Sequence, residues 1–194
     1  MSRRARTLAP DYFEALYAQD GDPWKFASSE YEAEKYARTL AALPEARYGA
    51  ALEIGCSIGV LTRQLATRCE RLVAIDAAPT PLAEARRRCQ GLANVEFAQM
   101  FVPGEWPQGV FDLILLSEVI YYLDAADVAK LAKRVEAALA ARGTVVLVHW
   151  TGETDYPLTG DQAAESFMQA LQDRIEVVGF ARRPEYRLDV LMRR

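Results

Sequence analysis

The sequence predicts an α/β fold: a mostly parallel, seven-stranded sheet with helices between its strands and an antiparallel hairpin at its C-terminal end. Residues 50–59 read Ala-Ala-Leu-Glu-Ile-Gly-Cys-Ser-Ile-Gly, an apolar run with an acid, followed by a glycine-rich turn that opens into a helical pattern. A second apolar run, 71–76, ends in Asp76. A strand, a tight turn, a helix and a strand tipped with a carboxylate together form a nucleotide-binding half-domain.

Two helices are predicted before this unit. The first covers about 11–20, with Asp11 as its cap. The second covers about 29–43, because Ser29 and Glu32 have the spacing of a capping box.

Strands and helices alternate through the middle of the chain. Apolar runs predict five strands, at 50–55, 71–76, 94–99, 111–117 and 144–150. Apolar residues at helical spacing predict the helices between them, at 59–68, 81–90 and 125–141. Pro81 suits the first turn of its helix, and Gly143 is the expected stop signal after the last helix.

The C-terminal part predicts a different connection. A helix over about 161–173 leads to strands at 175–182 and 185–192, which are separated only by Arg183 and Pro184. A linker this short cannot form a right-handed crossover, so these two strands must pair antiparallel.

Composition indicates one globular domain. The chain has 194 residues, of which 51% are hydrophobic and 26% charged, which is ordinary for a soluble protein with a full core. The net charge of −4 provides no general attraction to nucleic acid. No apolar segment approaches the roughly 20 residues needed to cross a bilayer, and we expect neither a membrane segment nor a signal peptide.

The cysteines indicate a reducing compartment. There are three, Cys56, Cys69 and Cys89, and their spacing fits no zinc pattern. We therefore expect reduced thiols, no bound metal and a cytoplasmic location.

The glycine pattern separates two classes of nucleotide-binding protein. The dinucleotide fingerprint places glycines at offsets 0, 2 and 5. Counted from Gly55, these offsets are occupied by Gly55, Ser57 and Val60, so the fingerprint fails twice. Glycines at Gly55 and Gly59, preceded by Glu53, resemble the first motif of class I S-adenosylmethionine-dependent methyltransferases, with Ser57 replacing the middle glycine.

This resemblance implies a Rossmann-like methyltransferase fold and S-adenosylmethionine as cofactor, with S-adenosylhomocysteine as product. Backbone N–H groups of the turn before the predicted helix can bind a carboxylate, and Asp76 can accept hydrogen bonds from ribose hydroxyls. The resemblance places Glu53 near the amino-acid end of the cofactor. The expected contacts of the turn and of the second strand end are Glu53, Gly55, Cys56, Ser57, Gly59, Asp76 and Ala77.

Two further loops are expected to contact the cofactor. The resemblance places the adenine beside the loop after the third strand, where Gln99 or the backbone must take the place of the aspartate found in many relatives. The expected contacts of these two loops are Gln99, Met100, Phe101, Ser117, Glu118 and Val119.

A closer resemblance covers nearly the whole chain. The runs that carry it are Asp22-Pro23-Trp24, Tyr31-Glu32, Lys35-Tyr36, Thr39-Leu40-Ala41-Ala42-Leu43-Pro44 and Ser117-Glu118-Val119-Ile120-Tyr121-Tyr122-Leu123. These runs resemble the nodulation protein S family of methyltransferases. The resemblance implies N-methylation of an amino sugar or related amine. It also implies that residues 1–45 form a helical lid, with Tyr31 and Tyr36 at the cofactor, over a core formed by 46–194.

The methyl-acceptor site is expected at the end of the fifth strand. His149 is the only histidine and lies at that end, so it is a candidate base or hydrogen-bond partner. Glu118 and Tyr121 are the next candidates, since the end of the fourth strand is expected to adjoin the fifth strand only indirectly, through the loops. Trp150 and the loop 151–160, with its acids and a tyrosine, are expected to form the acceptor wall.

Three alternatives remain open from the sequence. O-methylation of a hydroxylated natural product is the second candidate reaction. A nicotinamide-dependent oxidoreductase is more distant, because the dinucleotide fingerprint fails at two of its three glycine positions. A cofactor-binding module without catalytic activity is the third alternative.

Overall fold

The structure is a computed structural model that describes residues 3–194. Its helices are α1 (Pro10–Gln19), α2 (Glu30–Ala41), α3 (Val60–Leu65), α4 (Pro79–Arg88), α5 (Ala125–Ala138) and α6 (Gly160–Ala170). Its strands are β1 (Tyr48–Ile54), β2 (Cys69–Asp76), β3 (Val95–Gln99), β4 (Phe111–Ser117), β5 (Leu139–Trp150), β6 (Ile175–Arg182) and β7 (Tyr186–Arg193). Short 3₁₀ turns follow α3 at Ala66–Arg68 and β4 at Ile120–Tyr122.

The seven strands form one sheet in the order β3-β2-β1-β4-β5-β7-β6. The first five strands run parallel, whereas β7 is antiparallel to both of its neighbours. The predicted fold class and the predicted antiparallel hairpin are thereby confirmed. Because the chain order reverses between β1 and β4, the carboxyl ends of these two strands open a crevice, where ligands bind in folds of this type.

The two faces of the sheet are buried by different helices. Side chains alternate between faces along a strand. In β4, Ile114 and Leu116 pack with α5 and α6, whereas Leu113 and Leu115 pack with residues of α2 and α3. All four are fully buried, which explains why β4 reads as a continuous apolar run in the sequence.

Both N-terminal helices exist; the cap of α1 differs from the prediction, and only half of the predicted capping box forms at α2. The cap of α1 is Ala9, and Asp11 lies within the first turn rather than capping it. At α2 the Ser29 hydroxyl accepts a hydrogen bond from the Glu32 amide at 3.4 Å, as predicted. The Glu32 side chain binds Lys35 at 2.9 Å, so the carboxylate of this residue is directed away from the helix end.

The end of α5 was predicted wrongly. The helix stops at Ala138, and β5 begins at Leu139, so Gly143 lies inside a strand instead of ending a helix. Leu139 pairs with Phe111, and the register shifts before the next pair in β4. Pairing with β4 therefore outweighs the helical pattern of 139–141, an effect that local propensity cannot anticipate. Among residues 3–194, no helix is both long and apolar enough to cross a membrane.

Candidate active site

A cavity of about 400 Å³ lies at the carboxyl ends of β1, β2 and β4. The sheet forms its floor, α1 and α2 cover it, and the loop after β5 closes one side. Aromatic side chains dominate the covering elements: the cavity is lined by Phe13, Tyr17, Trp24, Phe26, Tyr31, Tyr36, Tyr121, Tyr122, Trp150 and Tyr156. A largely apolar cavity with a few polar groups is typical of a small-molecule site.

The glycines of the turn after β1 are required by its geometry. Gly55 and Gly59 have φ angles of +79° and +78°, a conformation that L-residues rarely adopt. A Cβ atom at Gly55 would collide with Cγ2 of Val119, and one at Gly59 would lie 2.9 Å from Cα of Ala85. The first glycine therefore leaves space at the cavity, and the second allows α4 to pack against the turn.

The backbone amides at the start of this turn already have partners. The amides of Gly55 and Cys56 both donate to the Ile75 carbonyl, at 2.8 and 3.0 Å. The Ser57 amide donates to Oδ2 of Asp76 at 2.8 Å. The expectation that the turn offers free N–H groups to a carboxylate is therefore not met at these three positions, where the amides shape the turn instead.

Asp76 lies at the end of β2 and lines the cavity. Its second oxygen, Oδ1, accepts from the Ala78 amide at 3.0 Å, while burial raises the pKa of this carboxyl. Each carboxylate oxygen has two lone-pair directions. Both oxygens can therefore still accept a hydrogen bond from a ribose hydroxyl, so the residue fits the predicted role.

Glu53 is a buried carboxyl group with an unused oxygen. It is 2% exposed and lines the cavity, and Oε2 has no hydrogen-bond partner in the part of the chain that the structure describes. Burial raises the pKa of Glu53 to about 8. An unpaired buried oxygen is unfavourable, and the amino group of a bound amino acid would satisfy it. The position therefore fits the amino-acid end of S-adenosylmethionine.

Ser57, which stands at the middle glycine position of the motif, is hydrogen-bonded to α1. Its φ angle is +49°, in the left-handed region that costs a non-glycine residue about 1–2 kcal/mol. Its hydroxyl forms a hydrogen bond with the hydroxyl of Tyr17, a buried residue that also lines the cavity. Sequence reasoning missed Tyr17, because α1 shows no motif and the contact spans 40 residues.

A buried lysine connects α2 to the end of β4. Nζ of Lys35 donates to Oε1 of Glu32 at 2.9 Å and to Oε1 of Glu118 at 2.6 Å. The Lys35 side chain is 2% exposed. Burial alone would lower the pKa of Lys35, but the two carboxylates outweigh it and raise that pKa. Sequence reasoning used Lys35 only as part of a resemblance and missed this role.

Glu118 has hydrogen-bond partners on both carboxylate oxygens. Oε2 accepts from the Tyr121 hydroxyl at 2.7 Å and from the Trp150 amide at 2.8 Å, and Oε1 binds Lys35. Burial favours the neutral acid, but Lys35 and these donors outweigh it and lower the pKa of Glu118. The expected separation from the fifth strand was wrong, because the bond to Trp150 is direct.

His149 lies at the end of β5, as predicted, but it does not line the cavity. It is fully buried, and its Nε2 accepts a hydrogen bond from the Ile120 amide at 3.3 Å. Burial lowers the pKa of His149 to about 4, so the ring is neutral near pH 7. This placement does not support the hypothesis that His149 is the base, because the ring faces the backbone after β4 instead of the cavity.

The structure brings most of the other predicted site residues to the cavity. Those that line it are Tyr31, Tyr36, Cys56, Ala77, Met100, Phe101, Ser117, Val119 and Tyr121. Gly59 and Gln99 do not, and the Gln99 side chain donates to the Ala77 carbonyl at 3.3 Å. In the predicted acceptor wall, Trp150 and Tyr156 line the cavity, whereas Asp155 pairs with Arg4 at 3.0 Å.

Sequence comparison identifies related chains. The family profile described as nodulation protein S (NodS) matches residues 13–182. Nodulation protein S from Sinorhizobium fredii is 33% identical over 127 residues, which cover 64% of this chain and 59% of that protein. The protein of the same name from Rhizobium tropici is 33% identical over 127 residues, covering 64% and 53%. The chain thus spans between about half and three fifths of the length of these curated relatives.

Solved structures share the fold. A nodulation protein S N-methyltransferase from Bradyrhizobium japonicum, in complex with S-adenosylhomocysteine, matches with a TM-score of 0.82 at 24% identity, covering 94% of this chain and 97% of that one. A putative methyltransferase from Pseudomonas syringae matches with a TM-score of 0.72 at 36% identity, covering 85% of this chain and 100% of that one. The predicted class I methyltransferase fold is therefore confirmed.

Proposed function

The chain belongs to the nodulation protein S family, and from this premise we propose that it is an S-adenosylmethionine-dependent methyltransferase that acts on a small molecule, with an amino sugar or related amine as the methyl acceptor. The Bradyrhizobium protein of this family is an N-methyltransferase that binds S-adenosylhomocysteine, which supports both the cofactor and the reaction. The single observation in this chain that carries the proposal is the unused buried oxygen of Glu53, placed on the same cavity as the Asp76 carboxylate.

Glu53 and Asp76 would hold opposite parts of the cofactor. Glu53 would accept a hydrogen bond from the amino group, and Asp76 from the ribose. When bound, S-adenosylmethionine supplies an electrophilic methyl group on a positively charged sulfur. Charge–charge attraction is stronger where water is excluded, and the aromatic cover formed by Tyr17, Trp24 and Tyr36 would exclude it.

The remaining task of the protein is to position the acceptor. Holding two reacting groups in line converts a bimolecular step into an effectively unimolecular one. Trp150, Tyr121 and Tyr156 provide ring faces on the side of the cavity opposite β2, and ring faces attract cations and pack against sugars. Carboxylates on the same side, from Glu32 and Glu118, favour an amine over an anionic acceptor.

Calorimetric titration tests the cofactor. We expect S-adenosylhomocysteine to bind the wild-type protein and NAD not to bind. Asp76→Ala should weaken binding by about 1.5–3 kcal/mol, the usual contribution of hydrogen bonds to a charged group. Asp173→Ala, at an exposed aspartate outside the cavity, is the control and should bind as the wild type does. Binding of NAD instead of S-adenosylhomocysteine would contradict the proposal and favour the oxidoreductase alternative.

A further inference from the structure

Three buried charges lie where the cavity meets α2. Lys35 stands between Glu32 and Glu118, so the three side chains together carry one uncompensated negative charge when both acids are ionised. An unpaired charge is costly in a buried site unless a ligand compensates it. Which of the two carboxylates is less fully paired therefore indicates which one is available to the acceptor.

Neither Glu118 nor His149 has a lone pair available to take a proton from the cavity: Nε2 of His149 already accepts a hydrogen bond, so the proton of the neutral ring lies on Nδ1. Both oxygens of Glu118 are hydrogen-bonded to protein groups, and a lowered pKa makes it a poor proton acceptor. His149 lies outside the cavity lining, with its Nε2 bonded to a backbone amide. Neither residue presents an available base to the cavity.

Glu32, by contrast, presents an available base to the cavity. Its Oε1 binds Lys35, but Oε2 has no hydrogen-bond partner within residues 3–194. The residue is 6% exposed and lines the cavity. The hydroxyl of the adjacent Tyr31 is likewise buried without a partner on the same wall, and the Tyr31 ring meets Trp150 edge to face at 6.0 Å. An acceptor oxygen, a hydroxyl and ring faces thus line the same part of the cavity, beside α2.

We propose that Glu32 is a catalytic residue that accepts the proton of a protonated amine acceptor. The inference rests on the proposed function and names the acid–base group within it. A proton passes from the acceptor nitrogen to Oε2 of Glu32, which leaves the nitrogen with a lone pair. That pair forms the bond to the methyl carbon, the bond between carbon and sulfur breaks, and its electron pair stays on sulfur.

The groups around Glu32 suit this proton transfer. Lys35 and Tyr36 face it from α2, Glu118 faces it from the end of β4, and Tyr31 precedes it in the helix. Burial and the nearby Glu118 charge raise the pKa of Glu32, and Lys35 and the Tyr36 hydroxyl oppose this only in part. A base with a pKa raised towards the working pH transfers protons more effectively than an ordinary glutamate.

The test compares Glu32→Gln with Glu34→Gln. The first variant keeps the shape of the side chain and the acceptor for Lys35 but cannot take a proton. The second is the control, because Glu34 lies on the same helix, is exposed and pairs with Arg38 at the surface. Methyl transfer from S-adenosylmethionine is measured with glucosamine and benzylamine as amine probes, and with N-acetylglucosamine as a probe without a free amine. Binding of the same probes to the S-adenosylhomocysteine complex is measured by calorimetry.

We expect at least one amine probe to be methylated by the wild-type protein and N-acetylglucosamine not to be. Glu32→Gln should lower kcat by roughly 100-fold, the usual size of a general-base effect, while its affinity for S-adenosylhomocysteine stays within twofold. The wild-type kcat should fall as the pH decreases, because protonated Glu32 cannot accept a proton. Glu32→Gln should not show this fall of kcat at low pH. Glu32→Asp should recover part of the activity, and Glu34→Gln should behave as the wild type.

Several outcomes would overturn the inference. An unchanged kcat in Glu32→Gln would overturn it. A fall of kcat at low pH that persists in that variant would also overturn it. If S-adenosylhomocysteine binds but no amine probe is bound or methylated, the assignment of Glu32 to an amine fails while the proposed cofactor stands. If S-adenosylhomocysteine does not bind the wild-type protein, the proposed function itself fails.

Discussion

The hydroxyl of Tyr17 on α1 is hydrogen-bonded to Oγ of Ser57 in the turn after β1. The N-terminal helix is therefore tied directly to the loop that follows the first strand, at the wall of the cavity. The amides of Gly55 and Cys56 in this turn already donate to the Ile75 carbonyl. The two hydroxyls are therefore side-chain hydrogen-bonding groups beside a turn whose first amides are already paired.

Loss of this contact should weaken cofactor binding. Tyr17→Phe removes one hydroxyl, and we expect the affinity for S-adenosylhomocysteine to fall by about fivefold, which corresponds to one hydrogen bond of about 1 kcal/mol. Calorimetry on Tyr17→Phe, Ser57→Ala and the double variant measures the coupling, and additive losses would show that the hydroxyls act independently. Tyr12→Phe, on the same helix but outside the cavity lining, is the control.

Gly55→Ala should destabilise the protein for two reasons. The new Cβ atom would collide with Val119, and an alanine is strained at the positive φ angle of this position. The control is Gly91→Ala: the φ angle there is +91°, but a Cβ atom would meet nothing within 4 Å. We expect the control to cost about 1–2 kcal/mol from conformation alone, and Gly55→Ala to cost about 1–3 kcal/mol more because of the contact with Val119. Urea unfolding measures both, and equal losses would argue against the collision.

Lys35→Met should destabilise the protein strongly, because it leaves the Glu32 and Glu118 carboxylates buried without their cation. Removal of one partner from a buried ion pair costs about 3–5 kcal/mol. The loss should be smaller at pH 5 than at pH 7, since the carboxylates can take up protons. Lys130→Met is the control: this lysine is exposed in its pair with Asp127, and its loss should leave the free energy of unfolding almost unchanged, because exposed ion pairs contribute little. Urea unfolding at both pH values checks the difference, and equal effects of the two variants would contradict it.

His149 should influence stability as a function of pH. Its pKa falls from 6.5 to about 4 on folding because of burial, so the unfolded chain binds the proton more readily. The contribution of the neutral ring is present above pH 6.5 and is lost as the pH falls towards 4, by about 2 kcal/mol between pH 6.5 and 5. His149→Gln removes this dependence and keeps an acceptor for the Ile120 amide.

The free energy of unfolding of both proteins between pH 5 and 7 provides the measurement. His149 is the only histidine in the chain. The difference between the two curves of unfolding free energy against pH therefore measures the effect of proton binding by His149. Parallel curves would show that the ring is not held neutral by burial. We also expect His149→Gln to keep turnover within a few-fold of the wild type, in contrast to the large loss expected of a base.

Many features of the site follow from local sequence. Gly55, Gly59 and Asp76 lie as predicted at the turn and strand ends of the half-domain, because steric demands on a tight turn act over a few residues. The alternation of strands and helices was predicted for the same reason. Where a distant strand competed with a local pattern, as at Leu139, the prediction failed.

The amino-acid sequence by itself determined the order of the elements, the antiparallel hairpin and the edge of the sheet where the cavity lies, since these follow from periodicity, turn chemistry and linker length. Only the tertiary structure decided which ionisable groups are available. Lys35 meets Glu118 across 83 residues and occupies one of its oxygens, while Oε2 of Glu32 has no hydrogen-bond partner in the described part of the chain. Burial and charge pairing arise from contacts between distant segments, so His149, which stood out in the sequence, is turned away from the cavity, and Glu32, which did not, faces it.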